Sequence, residues 1–193
     1  LQIIGKDPAY EVVSGMYIVS TKNNVFFLAD TTVNLNPTPN QIADITLQTA
    51  DFVKYFDIEP IVALLSYSNY GSAKGDTPEK MQKALQIIKK RNPELIVDGE
   101  MQADTAVNTM ILQGTYPFSP IKETGANVLI FPDLDSGNIS YKLLHSVAGA
   151  RIVGPILLGL TKSVHILQRG DDVNDILNMT SIAAVDATKK AGN

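Results

Sequence analysis

The apolar residues switch between two spacings along the chain, and the switches mark its elements. Tyr17-Ile18-Val19 and Val25-Phe26-Phe27-Leu28 flank Thr21-Lys22-Asn23-Asn24. Asn tolerates positive φ, so the pattern predicts an antiparallel hairpin ending at Asp30. After Asn36-Pro37, the segment Thr38-Pro39-Asn40-Gln41 supplies an N-cap Thr, a Pro at the first helical position and a Gln at the third, which is a capping box. Ile42, Ile45, Thr49, Phe52, Val53 and Phe56 then share one helical face, and Pro60 closes the connection. This helix is expected to cover a sheet.

Ile61-Val62-Ala63-Leu64-Leu65 is apolar without alternation, as a strand buried on both faces is. It leads through a polar loop, residues 66–76, into a helix capped by Thr77-Pro78 and carrying Met81, Ala84, Leu85 and Ile88. The same order recurs with Leu95-Ile96-Val97, an acidic turn Asp98-Gly99-Glu100 and a helix over 103–112. It recurs again with Val128-Leu129-Ile130-Phe131, a turn over 132–138 and a helix carrying Ile139, Leu143 and Val147. A run from Ile152 to Gly159, a short strand Val164-His165-Ile166-Leu167 and a helix with Val173, Ile176, Leu177 and Ala184 complete the chain. Alternating β and α predicts an α/β fold, a three-layer arrangement around a mostly parallel sheet with right-handed crossovers. The Gly/Pro-interrupted run before Gly159 marks a boundary, with residues 1–160 as the main unit, its second lobe incomplete, and 161–193 as a last strand and helix expected to pack on a missing first lobe.

Charge and composition narrow the function classes. Against 20 Asp+Glu there are 16 Lys+Arg, a net charge of −4, which lacks the basic field that nucleic-acid binding requires. The longest apolar runs are strand-sized, far short of the ~20 residues that span a bilayer, so no membrane helix is expected. The absence of cysteine removes disulfides and thiolate metal sites and fits a reducing, cytoplasmic compartment. Leu1-Gln2-Ile3-Ile4 has neither an initiator Met nor a signal-peptide pattern, and the beginning reads as a cut.

Ligands of open parallel sheets sit beyond the carboxyl ends of the strands. The loop 66–76 there holds Ser66, Ser68, Gly71, Ser72 and Lys74, and its amides at a helix start suit an anion such as phosphate; an ordinary loop is the equal alternative. Its spacing is neither that of a P-loop nor that of a dinucleotide-binding loop. Asp98, Glu100, Asp104, Asp133 and Asp135 offer oxygen ligands to a hard cation, but the same residues cap helices and hold loops, and no metal site is assigned. His145 falls on a helix and His165 beside a strand, with no Ser-His-Asp arrangement in view. In Gln168-Arg169-Gly170-Asp171-Asp172-Val173-Asn174-Asp175, Arg169 precedes a helix and Asp175 lies in its first turn. Either the two face one anionic ligand, or Arg169 pairs with Asp172 or Asp175 at the surface.

Four stretches, in this order, resemble phosphate acetyltransferases and phosphate butyryltransferases over nearly the whole chain: Leu65-Ser66-Tyr67-Ser68-Asn69-Tyr70-Gly71-Ser72, Pro93-Glu94-Leu95-Ile96-Val97-Asp98-Gly99-Glu100-Met101-Gln102, Ala126-Asn127-Val128-Leu129-Ile130-Phe131-Pro132-Asp133-Leu134-Asp135-Ser136-Gly137-Asn138 and Gly154-Pro155-Ile156-Leu157-Leu158-Gly159-Leu160. The resemblance implies acyl transfer between coenzyme A and phosphate in a cleft between two α/β lobes, with a fold similar to isocitrate and isopropylmalate dehydrogenases. It implies roles for Arg169 on phosphate or carbonyl oxygen and for Asp175 as base toward the thiol. The family's Ser before that Arg is Gln168 here, which has no hydroxyl proton to give.

Ser163-Val164-His165-Ile166-Leu167-Gln168-Arg169-Gly170 and Ile176-Leu177-Asn178-Met179-Thr180 also resemble the C-terminal phosphotransacetylase-like domain of large bacterial NADP-dependent malic enzymes. That resemblance implies a regulatory, oligomerising module that holds acetyl-CoA through Ser66, Ser68, Gly71, Ser72, Gln168, Arg169, Gly170 and Asp175. It implies no cofactor of the module's own; NADP and a divalent metal belong to the malate-decarboxylating part of such an enzyme. The expected partners are acyl-CoA, phosphate and a second copy of the chain. A metal-dependent dehydrogenase is disfavoured, for want of enough metal carboxylates and a cofactor loop.

Overall fold

The computed structural model describes residues 3–191. Its first hairpin pairs β1 (Ser14–Ser20) with β2 (Val25–Ala29), in register from Ser20 opposite Val25 to Met16 opposite Ala29. Neither Asn23 nor Asn24 adopts the positive φ that the sequence suggests. Thr21 closes the turn instead, its amide donating to the Asn24 carbonyl at 2.8 Å and its hydroxyl accepting the Asn24 amide at 3.1 Å. The capping box forms as expected at the start of α1 (Pro39–Val53), with the Thr38 hydroxyl accepting the Gln41 amide and Gln41 Oε1 accepting the Thr38 amide. Helix α1 runs through the core, and its buried polar residues have partners; Gln48 Nε2 donates to the Val12 carbonyl at 2.7 Å.

The strands β3 (Ile61–Leu65), β4 (Ile96–Met101), β5 (Val128–Ile130) and β6 (Arg151–Leu158) complete a six-stranded sheet in the order β4-β3-β5-β2-β1-β6. β2, β3, β4 and β5 are mutually parallel, and β1 is antiparallel to both its neighbours, so β6 runs with the parallel set. The expected mostly parallel sheet is present. Its acidic stretch differs from expectation, because Asp98, Gly99 and Glu100 continue β4 rather than turning.

Helix α2 (Asp76–Arg91) starts one residue before Thr77, after Gly75, whose backbone supplies no side-chain cap. The single helix expected over 103–112 is two, α3 (Ala103–Val107) and α4 (Thr109–Thr115), because Asn108 turns its side chain back to accept the amides of Met110 and Ile111. α5 (Leu134–Ala148) is capped by Asp133, and α6 (Val173–Ala191) ends the described chain. α1, α2 and α6 bury one face of the sheet, and α3, α4 and α5 line the other. The strand expected at 164–167 reduces to one bridge, His165 opposite Ile156. Met179 and Ile182 of α6 join the same core as α1 and α2, so the segment after Gly159 packs against residues 1–160. Among the described residues, no helix is long and apolar enough to cross a membrane.

Candidate functional site

Five strands end at one edge of the sheet, where β1 begins. Asp30, 2% exposed, follows β2 there and accepts the amides of Gly15, Thr32, Val33 and Asn34 at 2.7 to 3.2 Å. A carboxylate with four amide donors fixes a loop rather than performing chemistry. Lys80 of α2 reaches across the same edge, donating to Asn36 Oδ1 and to the Pro132 carbonyl, both at 2.7 Å. Burial holds its pKa down, against the nearby Asp133 carboxylate, which acts the other way.

In the loop 66–76 the place expected for a bound anion is taken by a side chain of the protein itself, Glu100. This side chain is 1% exposed, and its Oε1 accepts the Gly71 amide at 2.7 Å and the Ser68 hydroxyl at 2.9 Å. The neighbouring amides from 68 to 73 are also taken: Ser68 N by Ser66 Oγ, Asn69 N by Ser72 Oγ, Tyr70 N by the Glu100 carbonyl, Ser72 N by the Asn69 carbonyl and Ala73 N by Ser68 Oγ. Six consecutive amides therefore face partners within the protein. Ser68 is fully buried, while Gly71 and Ser72 reach the surface and Ser66 does so in part. Asp98 accepts from Tyr70 Oη at 2.7 Å and Ser119 Oγ at 2.6 Å, fastening the loop and the 116–119 turn to β4.

The acidic residues noted in the sequence are thereby distributed. Asp98 and Glu100 serve the loop, Asp133 caps α5 by accepting the Ser136 amide at 2.8 Å, and Asp104 and Asp135 lie in first turns of helices. Among the described residues, no three His, Asp or Glu side chains come together as a metal site would need.

Beyond β6 the chain passes His165 and reaches the turn 168–171. Gln168 N donates to Asp171 Oδ2 at 2.6 Å and Asp171 N to the Gln168 carbonyl at 3.2 Å. Gln168 Nε2 donates to Tyr17 Oη at 2.6 Å. Asp172 Oδ1 then accepts the amides of Asn174 and Asp175, and Asp175 Oδ2 accepts the Asp172 amide at 3.0 Å, a reciprocal cap for α6. Asp175 is thus part of the helix start. Arg169 and Gly170 are exposed, and among the described residues no carboxylate lies within ion-pair distance of Arg169, so the surface pair with Asp172 or Asp175 is not formed. The turn and the loop 66–76 do not meet in the sheet order: β3 and β6 are four strands apart, about 19 Å.

Two buried groups carry no warning in the sequence. Tyr17 is an apolar-run residue of β1 whose ring stacks on Tyr141 at 4.1 Å, and its hydroxyl pKa is raised above the usual tyrosine range, chiefly by burial. Asp186 of α6 accepts from Lys190 at 3.0 Å and lies 3.4 Å from His165 Nε2. His165 Nδ1 accepts the Leu157 amide at 3.3 Å, and Ser163 Oγ stands 3.2 Å from Nε2, on the same nitrogen as Asp186. A Ser-His-Asp relay needs the two partners on opposite nitrogens, so this cluster is structural. His145 Nδ1 meets the Ala150 carbonyl at the end of α5.

The phosphate acetyl/butaryl transferase profile matches residues 1–184. The chain belongs to that family. Among its relatives, an NADP-dependent malic enzyme of Haemophilus influenzae is 45% identical over 188 residues, 97% of this chain and 25% of the relative. A phosphate acetyltransferase of Clostridium acetobutylicum is 40% identical over 196 residues, 98% of this chain and 59% of that protein. Among solved structures, a phosphotransacetylase from Streptococcus pyogenes superposes with a TM-score of 0.91 at 36% identity, covering 98% of this chain and 58% of that one. The chain therefore spans a quarter to three fifths of these relatives, and its mixed α/β fold is that of the phosphotransacetylases.

Proposed function

We propose that this phosphate acetyl/butyryl transferase-family domain is a regulatory acyl-CoA-binding and oligomerising module of an NADP-dependent malic enzyme, with acetyl-CoA as its ligand. Arg169 is the residue that meets the anionic part of the ligand, beside Gly170 at the turn and Asp175 at the start of α6. Ser66 and Ser72 line the rim of the other loop, and Ser68 and Gly71 shape it through Glu100. One observation carries this reading: Gln168, which the resemblance sets where the family has a serine, lacks a hydroxyl and has its amide bonded to Tyr17. A site without that hydroxyl retains binding while losing a group that assists transfer. NADP and the divalent metal are assigned to the catalytic part of such an enzyme, and the compartment to the cytoplasm.

The second reading is an active phosphate acetyltransferase, with Arg169 and Asp175 as catalytic residues and acetyl-CoA and phosphate as substrates. The 40% identity to the Clostridium enzyme over 98% of this chain favours it. Titrating the chain with acetyl-CoA by calorimetry, and assaying the same samples with phosphate for acetyl phosphate, separates the two. Binding without acetyl phosphate supports the regulatory module, acetyl phosphate formation supports the transferase, and no binding removes both.

Self-association belongs to the same proposal. Helix α5 buries only Gly137 and Tyr141, while Ile139 and Leu143 are 56% and Val147 80% exposed along one side. A second copy covering this stripe would remove it from water. Sedimentation at micromolar concentration is expected to give a dimer, and Leu143→Asp to give a monomer.

A further inference from the structure

Between the bridge at His165 and the start of α6, the chain has little to hold it. Ile166 and Leu167 are exposed, and the hydrogen bonds within 168–175 are local. Among the described residues, a single side-chain bond ties this segment to the rest of the molecule, from Gln168 Nε2 to Tyr17 Oη at 2.6 Å. Tyr17 is a rigid anchor. It is 3% exposed, its ring lies against Tyr141 at 4.1 Å and 21°, and Gly154 is close enough that an added Cβ would stand 2.5 Å from Tyr17 Cδ1. The pedestal is thus built from β1, its sheet neighbour β6 and α5 packed against them.

We infer that Tyr17 is a positioning residue for Arg169: by holding Gln168 it docks the 168–171 turn on the sheet, so that the neighbouring guanidinium meets its anionic ligand already placed. This rests on the reading of Arg169 as the ligand-binding arginine. The physical gain is preorganisation, because a turn that is ordered beforehand does not lose its freedom when the ligand arrives. It also gives Gln168 a purpose that the family's serine cannot serve. The shorter Ser side chain places its hydroxyl nearer the backbone, whereas the Gln amide extends two carbons further.

Four variants test the assignment: Tyr17→Phe, Gln168→Ala, the two combined, and Arg169→Ala. Each is titrated with acetyl-CoA by calorimetry, and each that keeps Arg169 is digested briefly with trypsin, following by mass the fragment that ends at Arg169. Tyr17→Phe keeps the ring and removes only the hydroxyl. It is expected to weaken binding roughly three- to tenfold, the scale of one hydrogen bond, and to speed cleavage after Arg169. Gln168→Ala, made at an exposed residue, is expected to match it, and the double variant to be no worse than either, since all three remove one bond. A merely structural role for Tyr17 would leave Gln168→Ala silent, with only Tyr17→Phe and the double variant losing affinity. If Arg169→Ala weakens binding while Tyr17→Phe and Gln168→Ala leave affinity and cleavage unchanged, the positioning role is overturned and the binding site stands. If Arg169→Ala binds as the parent does, the site assignment falls and the positioning role with it.

Discussion

Gly137 stands directly against the carbonyl of Asp30, so close that a Cβ at position 137 would overlap that oxygen. The first turn of α5 therefore packs backbone to backbone on the end of β2, beside the loop that the Asp30 carboxylate organises. Gly137→Ala is expected to push α5 off this edge. Because the obstacle is main chain, relief is small and the cost is about 3 kcal/mol, the upper end for overpacking. Urea denaturation gives the value, and a change under 1 kcal/mol would mean that the helix can shift freely.

Glu100 fills the turn of the 66–76 loop in the way a bound anion would. Glu100→Ala removes the charged acceptor of the Gly71 amide and the Ser68 hydroxyl; water at the exposed Gly71 and the Ala73 carbonyl, 3.3 Å from Ser68 Oγ, replace part of it, and the loss is about 2 kcal/mol. Glu100→Gln keeps an acceptor oxygen and is expected to recover most of that. Thermal unfolding of the two variants side by side checks the order, and equal melting temperatures for Glu100→Ala and the parent would remove the cradle argument.

The residues whose partners lie close in sequence were the ones the pattern could locate. The Thr38–Gln41 capping box and the fully apolar β3 follow from local spacing, and the mostly parallel sheet follows from their alternation. Asp98-Gly99-Glu100 has the polarity of a turn, yet it is strand, because Tyr70 and Ser68 supply hydroxyls from 28 and 32 positions away. Gln168 meets Tyr17 across 151 positions, and nothing in an apolar β1 run announces that contact. The turn holding Arg169 was therefore legible as a candidate, while what fixes it in space was not.

Three tyrosines predict alkaline lability. Burial, the leading cause in each, pushes the Tyr10 hydroxyl up to about 12 and those of Tyr17 and Tyr70 above the usual range; for Tyr70 the Asp98 carboxylate adds to it. The folded state holds these protons more tightly than the unfolded chain does. Their stabilising contribution is complete below pH 10 and is lost as pH rises beyond it. The urea midpoint is expected to hold from pH 8 to 10 and to fall above 10, less steeply in Tyr70→Phe. A flat profile to pH 11 would contradict the burial of these hydroxyls.

Asp186 gives the opposite pH signature. Burial tends to raise its pKa, but hydrogen bonds from His165, Lys190 and Ser163 outweigh it and hold the carboxyl below its ordinary value of 3.8. A depressed carboxyl stabilises the fold above the unfolded-state value, and the contribution disappears as pH falls through the lower folded one. Asp186→Asn removes the charge that Lys190 and His165 face, so it is expected to destabilise the protein at pH 7. The gap between variant and parent should then narrow as pH falls below 3.8 and close below the depressed folded-state value, where the parent's own carboxylate becomes protonated. Melting curves at pH 7, 5 and 3 decide the matter: a gap that persists undiminished at pH 3 would assign the loss to packing of α6 and not to the carboxylate charge.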